Sequence, residues 1–335
     1  MRRGTVVRLL AAAVAARAGY AALGARPPGG ADRWTRTNHR GEPVTLLEGP
    51  AVALAGAAAA LVTPGLSRRD RASLAVAAAG SGAFGGYDDL AGGSDQRGFR
   101  GHLGALADGQ VTTGAVKLAG IGVTGVIAAA LRDAGPASPS RRAADLAINS
   151  TLIASAANLM NLFDLRPGRA IKVTMLAGAG LAAAGPDARA VLAAPAGAAI
   201  AMLPEDLAER AMLGDCGANA LGAMLGVAAA SAPRRTRVAA ITVILALTAA
   251  SEKISFTKVI ERTPPLHWLD MLGRRPVTGP ASGSAGPDRL AGGHEPVGEP
   301  GLVSESGTAG EHEPVGGPGL VGEPGSASAS GSAGE

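Results

Sequence analysis

One cysteine, Cys216, stands in a chain of 335 residues, so an intrachain disulfide is excluded. No basic residue adjoins it in sequence to depress its pKa, which argues against a reactive thiol. Aromatic residues make up only 2%. That removes the Trp/Tyr belt usual at a membrane surface, and it removes the stacking platforms that nucleic acid needs. Charged residues, at 17%, are scarce for a soluble protein, while a hydrophobic content of 47% is too high for a disordered one.

The formal charge of +4 conceals two unlike parts. From Pro276 onward there are eight acidic residues and one basic, Arg289, a net of −7 that leaves +11 on the body. A basic body suits anionic lipid head groups or phosphorylated substrates. Its Lys and Arg are dispersed between apolar runs, and no nucleic-acid partner is expected.

Apolar runs recur along the body. The first, Val6–Leu23, follows Arg2 and Arg3; it has the look of a secretory signal but reads better as a membrane span, because more follow. Further candidate spans are Pro50–Leu61, Ala72–Gly86, Gly114–Leu131, Ala143–Leu159, Ala170–Ala184, Ala188–Leu203, Cys216–Ala230 and Val238–Ala250. Several fall short of the roughly 20 residues of a straight span and must extend into their flanks. Gly222-Ala-Met-Leu-Gly226 offers a GxxxG face for close helix packing. The expected class is all-α: a polytopic membrane helix bundle of about nine to ten transmembrane helices. Residues 1–275 form the membrane domain. Residues 276–335 form an acidic Gly/Pro/Ser/Glu-rich tail, read as disordered, in which His294-Glu-Pro-Val-Gly recurs as His312-Glu-Pro-Val-Gly.

Nine spans place alternate loops on alternate sides, and every motif-like polar stretch falls on one of them. The central stretch is Met212-Leu-Gly-Asp215-Cys-Gly-Ala-Asn-Ala-Leu-Gly222, where one carboxylate between glycines opens a run uncharged until Arg234. Asp215 either caps the following helix or meets a metal or partner, and the free N–H groups of that helix suit a phosphate. Gly85-Gly-Tyr-Asp88-Asp89 ends the third span; neighbouring helical residues point about 100° apart, so the two carboxylates should have different partners. Arg97-Gly-Phe-Arg100-Gly-His102 follows, and Lys117 stands one turn inside the fourth span, either snorkelling or facing a phosphate. Asn158, Asn161 and Asp164 recur at intervals of three, which places them along one helix face, and Pro167-Gly168 ends that helix. Lys253, Lys258 and Arg262 are spaced as a basic interfacial helix. Several carboxylates on one face repel unless a cation joins them. An oxygen-ligand site of this kind suits Mg²⁺ or Mn²⁺, and cations around it suit phosphates.

The order of Asp88-Asp89 at a span end, Asn161-Leu-Phe-Asp164, and Met212-Leu-Gly-Asp215-Cys-Gly217 with Ala220-Leu-Gly222 resembles the polyprenyl-phosphate N-acetylhexosamine-1-phosphate transferases. These form glycosyltransferase family 4, which includes the phospho-N-acetylmuramoyl-pentapeptide transferase of peptidoglycan synthesis. Asn38-His39-Arg40-Gly41-Glu42-Pro43 takes the place of the family's early cytoplasmic loop, and the likeness covers about Arg36 to Arg275. The later Asp of the family's Asn-Leu-x-Asp element is replaced by Leu165-Arg166-Pro167-Gly168, and of the late His-rich loop only His267 is present.

The resemblance implies a multi-pass protein of the cell membrane with its site on the cytoplasmic face. There a polyprenyl phosphate attacks a UDP-sugar, with Mg²⁺, and UMP leaves. It implies Asp215 as metal ligand and catalytic residue, with Asp88, Asp89 and Asp164 as further catalytic residues. Lys117, Asn158, Asn161, Gly214, His39 and Arg40 would bind substrate. Membrane lipids are expected partners and a homodimer stays open. Two other readings stand beside it: a relative that binds polyprenyl phosphate without turnover, and a membrane transporter with Lys117, Lys172 and Asp145 along a path.

Overall fold

A computed structural model describes residues 3–62, 65–91, 105, 109–133, 138–183 and 185–276. They belong to a compact unit, Met1–Thr278; a second unit, Gly279–Glu335, lies outside the described residues, as do the tail repeats and the Arg97–His102 motif.

Each of the nine apolar runs lies mainly within a helix. These are α1 (Arg3–Ala25), α2 (Glu48–Val62), α3 (Arg68–Ala91), α4 (Thr113–Arg132), α5 (Pro139–Phe163), α6 (Arg169–Ala182), α7 (Pro186–Leu207), α8 (Gly214–Ala229) and α9 (Arg234–Ser251). Two short helices come next, α10 (Phe256–Arg262) and α11 (Pro264–Met271). The starts are set locally. Thr112 Oγ1 accepts from Ala115 N–H at 3.1 Å to cap α4. Ser138 caps α5 ahead of Pro139, whose missing N–H is harmless in the first turn.

Among the described residues, four helices are long and apolar enough to cross a membrane: α1 over Gly4–Ala25, α4, α5 and α7. The pair α9 and α10 makes a fifth if taken as one bent span. The remaining helices are shorter, more charged or, like α3 with its charged ends and interior Gly and Ser, not apolar enough. Large apolar side chains point outward from α1 (Val6, Val7, Leu10, Val14), α4 (Val123, Val126, Ile127) and α9 (Val238, Val243, Leu245). No residue of α9 is buried. An apolar exterior of this kind is costly in water and is the normal surface of a bundle in lipid.

Helix α8 is the axis of the bundle. Every one of its residues is buried except Asp215. It packs chiefly against α3 and α5, and also against α2 and α7. The GxxxG face is used inside the chain: a Cβ on Gly222 would run into the backbone of Ala156 and Ala157, and one on Gly226 into that of Ile153. Small residues at these points let two backbones meet, which is how helices without a hydrophobic driving force gain contact. The surrounding core is mostly alanine, filled out by Leu74, Leu152, Ile153, Ile171, Met202, Leu221 and Met224.

Two local features depart from what the sequence led us to expect. Thr35–Thr37 (β1) and Pro43–Thr45 (β2) pair as an antiparallel hairpin across Asn38–Glu42. The turn accounts for it: Gly41, with φ of +81°, donates its N–H to Asn38 O, and Asn38 N–H donates to Glu42 O. The basic stretch Ser251–Arg262 is also not one helix. The chain turns through 96° between α9 and α10, and Ser255 caps the new helix, so Lys253 stands in the turn and only Lys258 and Arg262 share a helix.

Candidate functional site at one end of the bundle

The end of α3, the start of α4, the end of α5 and the start of α8 meet at one end of the bundle, with the hairpin and α11 beside them. Asp88, in the last turn of α3, pairs with Lys117 Nζ at 2.6 Å from its Oδ2. The same ammonium pairs with Asp215 Oδ2. These side chains are only 13% (Lys117), 15% (Asp88) and 24% (Asp215) exposed, so the ion pairs are shielded well beyond an ordinary surface pair. Lys117 is therefore neither snorkelling nor alone.

Asp89 turns elsewhere. Its Oδ1 accepts from Asp215 N–H and its Oδ2 from Cys216 N–H, both at 2.9 Å. It thus does from α3 what a capping residue does from the preceding loop. Asp215 is not the cap: Leu213 holds that position and offers no side-chain bond. The N–H groups that looked ready for a phosphate are already taken, by Asp89 and, at Gly214, by the Asp164 carboxylate. Gly214 has φ of +56°, and a Cβ there would meet the Leu46 side chain and both Asp89 oxygens. Only glycine allows the carboxylate to come this close to a left-handed turn. Arg36, in β1, donates to the Asp89 carbonyl and ties the hairpin to the same junction.

Asp164, just past the last residue of α5, turns into a cavity of about 250 Å³ that Asp206, Glu209, His39 and Arg166 also line. Burial, followed by the charges of Asp206, Asp215 and Asp89, pushes its carboxyl well up, against the opposing hydrogen bond from Gly214 N–H. Asn158 and Asn161 do not share this setting. Both are half-buried, neither lines the cavity, and neither side chain has a hydrogen-bond partner among the described residues. The regular spacing placed three residues on one stripe, but the turn at Asp164 redirects the third.

His39 and Arg40 sit at the hairpin tip. Arg40 Nε lies 2.9 and 3.0 Å from the two Glu209 carboxylate oxygens, and its Nη2 donates to the Arg275 carbonyl at 3.0 Å. Its charge is met by protein. His39 Nδ1 is 3.8 Å from Glu209, and burial lowers its pKa against the opposing pull of that carboxylate. Glu42 pairs with Arg275 at 2.5 and 3.0 Å, which holds its carboxyl down at about 2. The end of β2 is stitched to the α7–α8 connection: Thr45 N–H donates to Arg210 O and Met212 N–H to Thr45 O.

Three carboxylates escaped the sequence reading. Glu205, Asp206 and Glu209 fall within five residues just ahead of the Asp215 stretch, and that crowding was the available signal. Glu209 is buried at φ of +57°, a conformation that costs a non-glycine residue about 1 kcal/mol or more. Glu48 opens α2 and is fully buried, with no partner for either oxygen among the described residues.

Two larger cavities adjoin. One, of about 430 Å³, lies between α6 and the bent α9–α10 pair; Phe163, Val173, Leu176, Leu247 and Phe256 line it together with Arg169 and Lys172. Phe163 stacks on Phe256 at 5.1 Å between centroids, joining α5 to α10. Arg169 forms a buried two-pronged pair with Asp270 at 2.7 and 3.1 Å, which clamps α11 onto α6. The other cavity, of about 850 Å³, is lined by four arginines (40, 166, 274, 275), two histidines (39, 267) and three carboxylates (Glu42, Glu261, Asp270).

No protein-family model and no curated protein matches the chain. Among the described residues, no group of three or more His, Cys, Asp or Glu is arranged to hold a metal by itself. Two carboxylate oxygens, of Asp88 and Asp215, do converge on one cationic point. That donor set fits Mg²⁺, which takes one or two carboxylates and completes its shell with water and substrate phosphate.

Proposed function

We propose that this protein transfers a sugar 1-phosphate from a UDP-sugar to polyprenyl phosphate at the cytoplasmic face of the cell membrane, releasing UMP. The observation that carries this reading is the junction of Asp88, Asp89, Asp164, Asp215 and Lys117 at one end of an apolar bundle, in the chain order that resembles family 4. In it α1 to α9 all cross or enter the membrane, with the hairpin, the Asp88 end of α3, the α5–α6 turn, the α7–α8 connection and α10–α11 on one side.

Asp215 and Asp88 would hold Mg²⁺, with Mn²⁺ an alternative, and the ion would neutralise charge on the pyrophosphate being cleaved. Asp89 keeps α8 in register so that Asp215 faces its partners. Asp164 would bear on the nucleotide side of the cavity it lines. The apolar groove beside α6 suits a polyprenyl chain, with Arg169 and Lys172 near its head group. The basic cavity with Arg166, Arg274 and His267 suits the diphosphate of a nucleotide sugar.

Asp215→Asn is the direct test. Since Asp215 does not cap α8 and Lys117 keeps its pair with Asp88, the variant should fold and insert normally. It should lose turnover by about a hundredfold or more, as when a key electrostatic group is removed. UMP release and mass spectrometry of lipid-linked product, with membranes given a panel of UDP-sugars and excess Mg²⁺, read the outcome. Wild-type turnover in a folded Asp215→Asn protein would refute the assignment.

A further inference from the structure

Lys117 occupies the point at which the Asp88 and Asp215 carboxylates converge. Its Nζ lies 2.6 Å from Asp88 Oδ2 and in contact with Asp215 Oδ2, in a site where all three side chains are less than a quarter exposed. Its backbone is fixed in the first turns of α4, just behind the Thr112 cap. Its head is carried on a flexible four-carbon stem and can be redirected without moving the helix. A metal ion and an ammonium cannot share so narrow a gap, because like charges at such distances repel strongly where water is sparse.

We infer that Lys117 is a built-in counter-ion, competing with divalent metal for Asp88 and Asp215 and surrendering them to meet the substrate's phosphates. The inference rests on the proposed reading of this site as one for metal and phosphate. It makes the two ligands cooperative: metal alone must displace a bound ammonium, whereas phosphate supplies that ammonium with a new partner. Linkage requires the converse as well, so metal should strengthen phosphate binding by the same factor.

The test uses the full chain in detergent micelles and Mn²⁺ as the probe, with free Mn²⁺ read by electron paramagnetic resonance. Lys117→Met should bind Mn²⁺ alone more tightly than wild type by roughly tenfold, within the range usual for coupled sites. Lys117→Arg, which keeps the charge, should not. Added UDP should tighten Mn²⁺ binding in wild type and much less in Lys117→Met. A measurement on wild type alone guards against a variant that misfolds: acylation of Lys117 by an amine reagent, followed by peptide mass spectrometry, should rise when Mn²⁺ is added. Equal or weaker Mn²⁺ binding by folded Lys117→Met overturns the inference and leaves the transferase reading standing. Unchanged or reduced acylation in Mn²⁺ does the same. Failure of wild type and Lys117→Met alike to bind Mn²⁺, with or without UDP, overturns both.

Discussion

Asp89 gives both carboxylate oxygens to the N–H groups that open α8, and this makes its role separable from that of its neighbour. Asp89→Ala should lower stability by about 2–3 kcal/mol, the loss of a cap plus donors left unmatched. Asp89→Asn, which keeps one acceptor oxygen, should cost about half of that. Denaturant unfolding in detergent measures both, and wild-type stability in Asp89→Ala would show that the two bonds carry nothing. The sequence showed two carboxylates pointing apart on one helix. It did not show that Asp89 reaches 126 residues ahead to bind backbone, since nothing local to Asp89 specifies that contact. Arg40 was legible as a charged residue in an early loop but not as a spent one; its partner Glu209 lies 169 residues away.

Among the elements, α8 depends on glycine twice, for different reasons. Gly214 permits the left-handed turn beside Asp89, and Gly222 with Gly226 permits contact with α5. Gly214→Ala should lose about 1–3 kcal/mol, because a Cβ is strained at φ of +56° and strikes Asp89. Thermal unfolding would register this as an earlier transition, and an unchanged transition would count against the turn as drawn. The GxxxG spacing could be read directly from the sequence, but its partner helix could not. All nine apolar runs could be placed as helices because long periods without charge are a robust signal. The hairpin was missed because three-residue strands are too short to show alternation, and the bend at Ser255 because its basic spacing also fits an unbroken helix.

For the whole molecule, the last described residues are structural. Arg275 binds Glu42 and, through its carbonyl, Arg40, while Arg274 joins Asp270 at 2.9 Å. Ending the chain after Pro276 should leave membrane insertion and turnover nearly intact, since the removed tail is poor in core-forming residues. Ending it after Gly273 removes both arginines and should cut turnover severalfold while leaving the protein in the membrane. Equal activity of the two truncated chains, read as UMP release, would show that the Arg275 strap is dispensable.

That strap also sets a schedule. Arg40 is synthesised early and waits for Arg275, 235 residues later, before its guanidinium gains the carbonyl that holds it. At cellular elongation rates of about 5–20 residues per second, the wait is roughly 12–47 s. Throughout that interval the hairpin lacks its final fastening and α11 has not docked. A chain whose synthesis has not yet reached Arg275 therefore holds its hairpin by Glu209 alone at Arg40, and the second fastening can form only once Arg275 has been added.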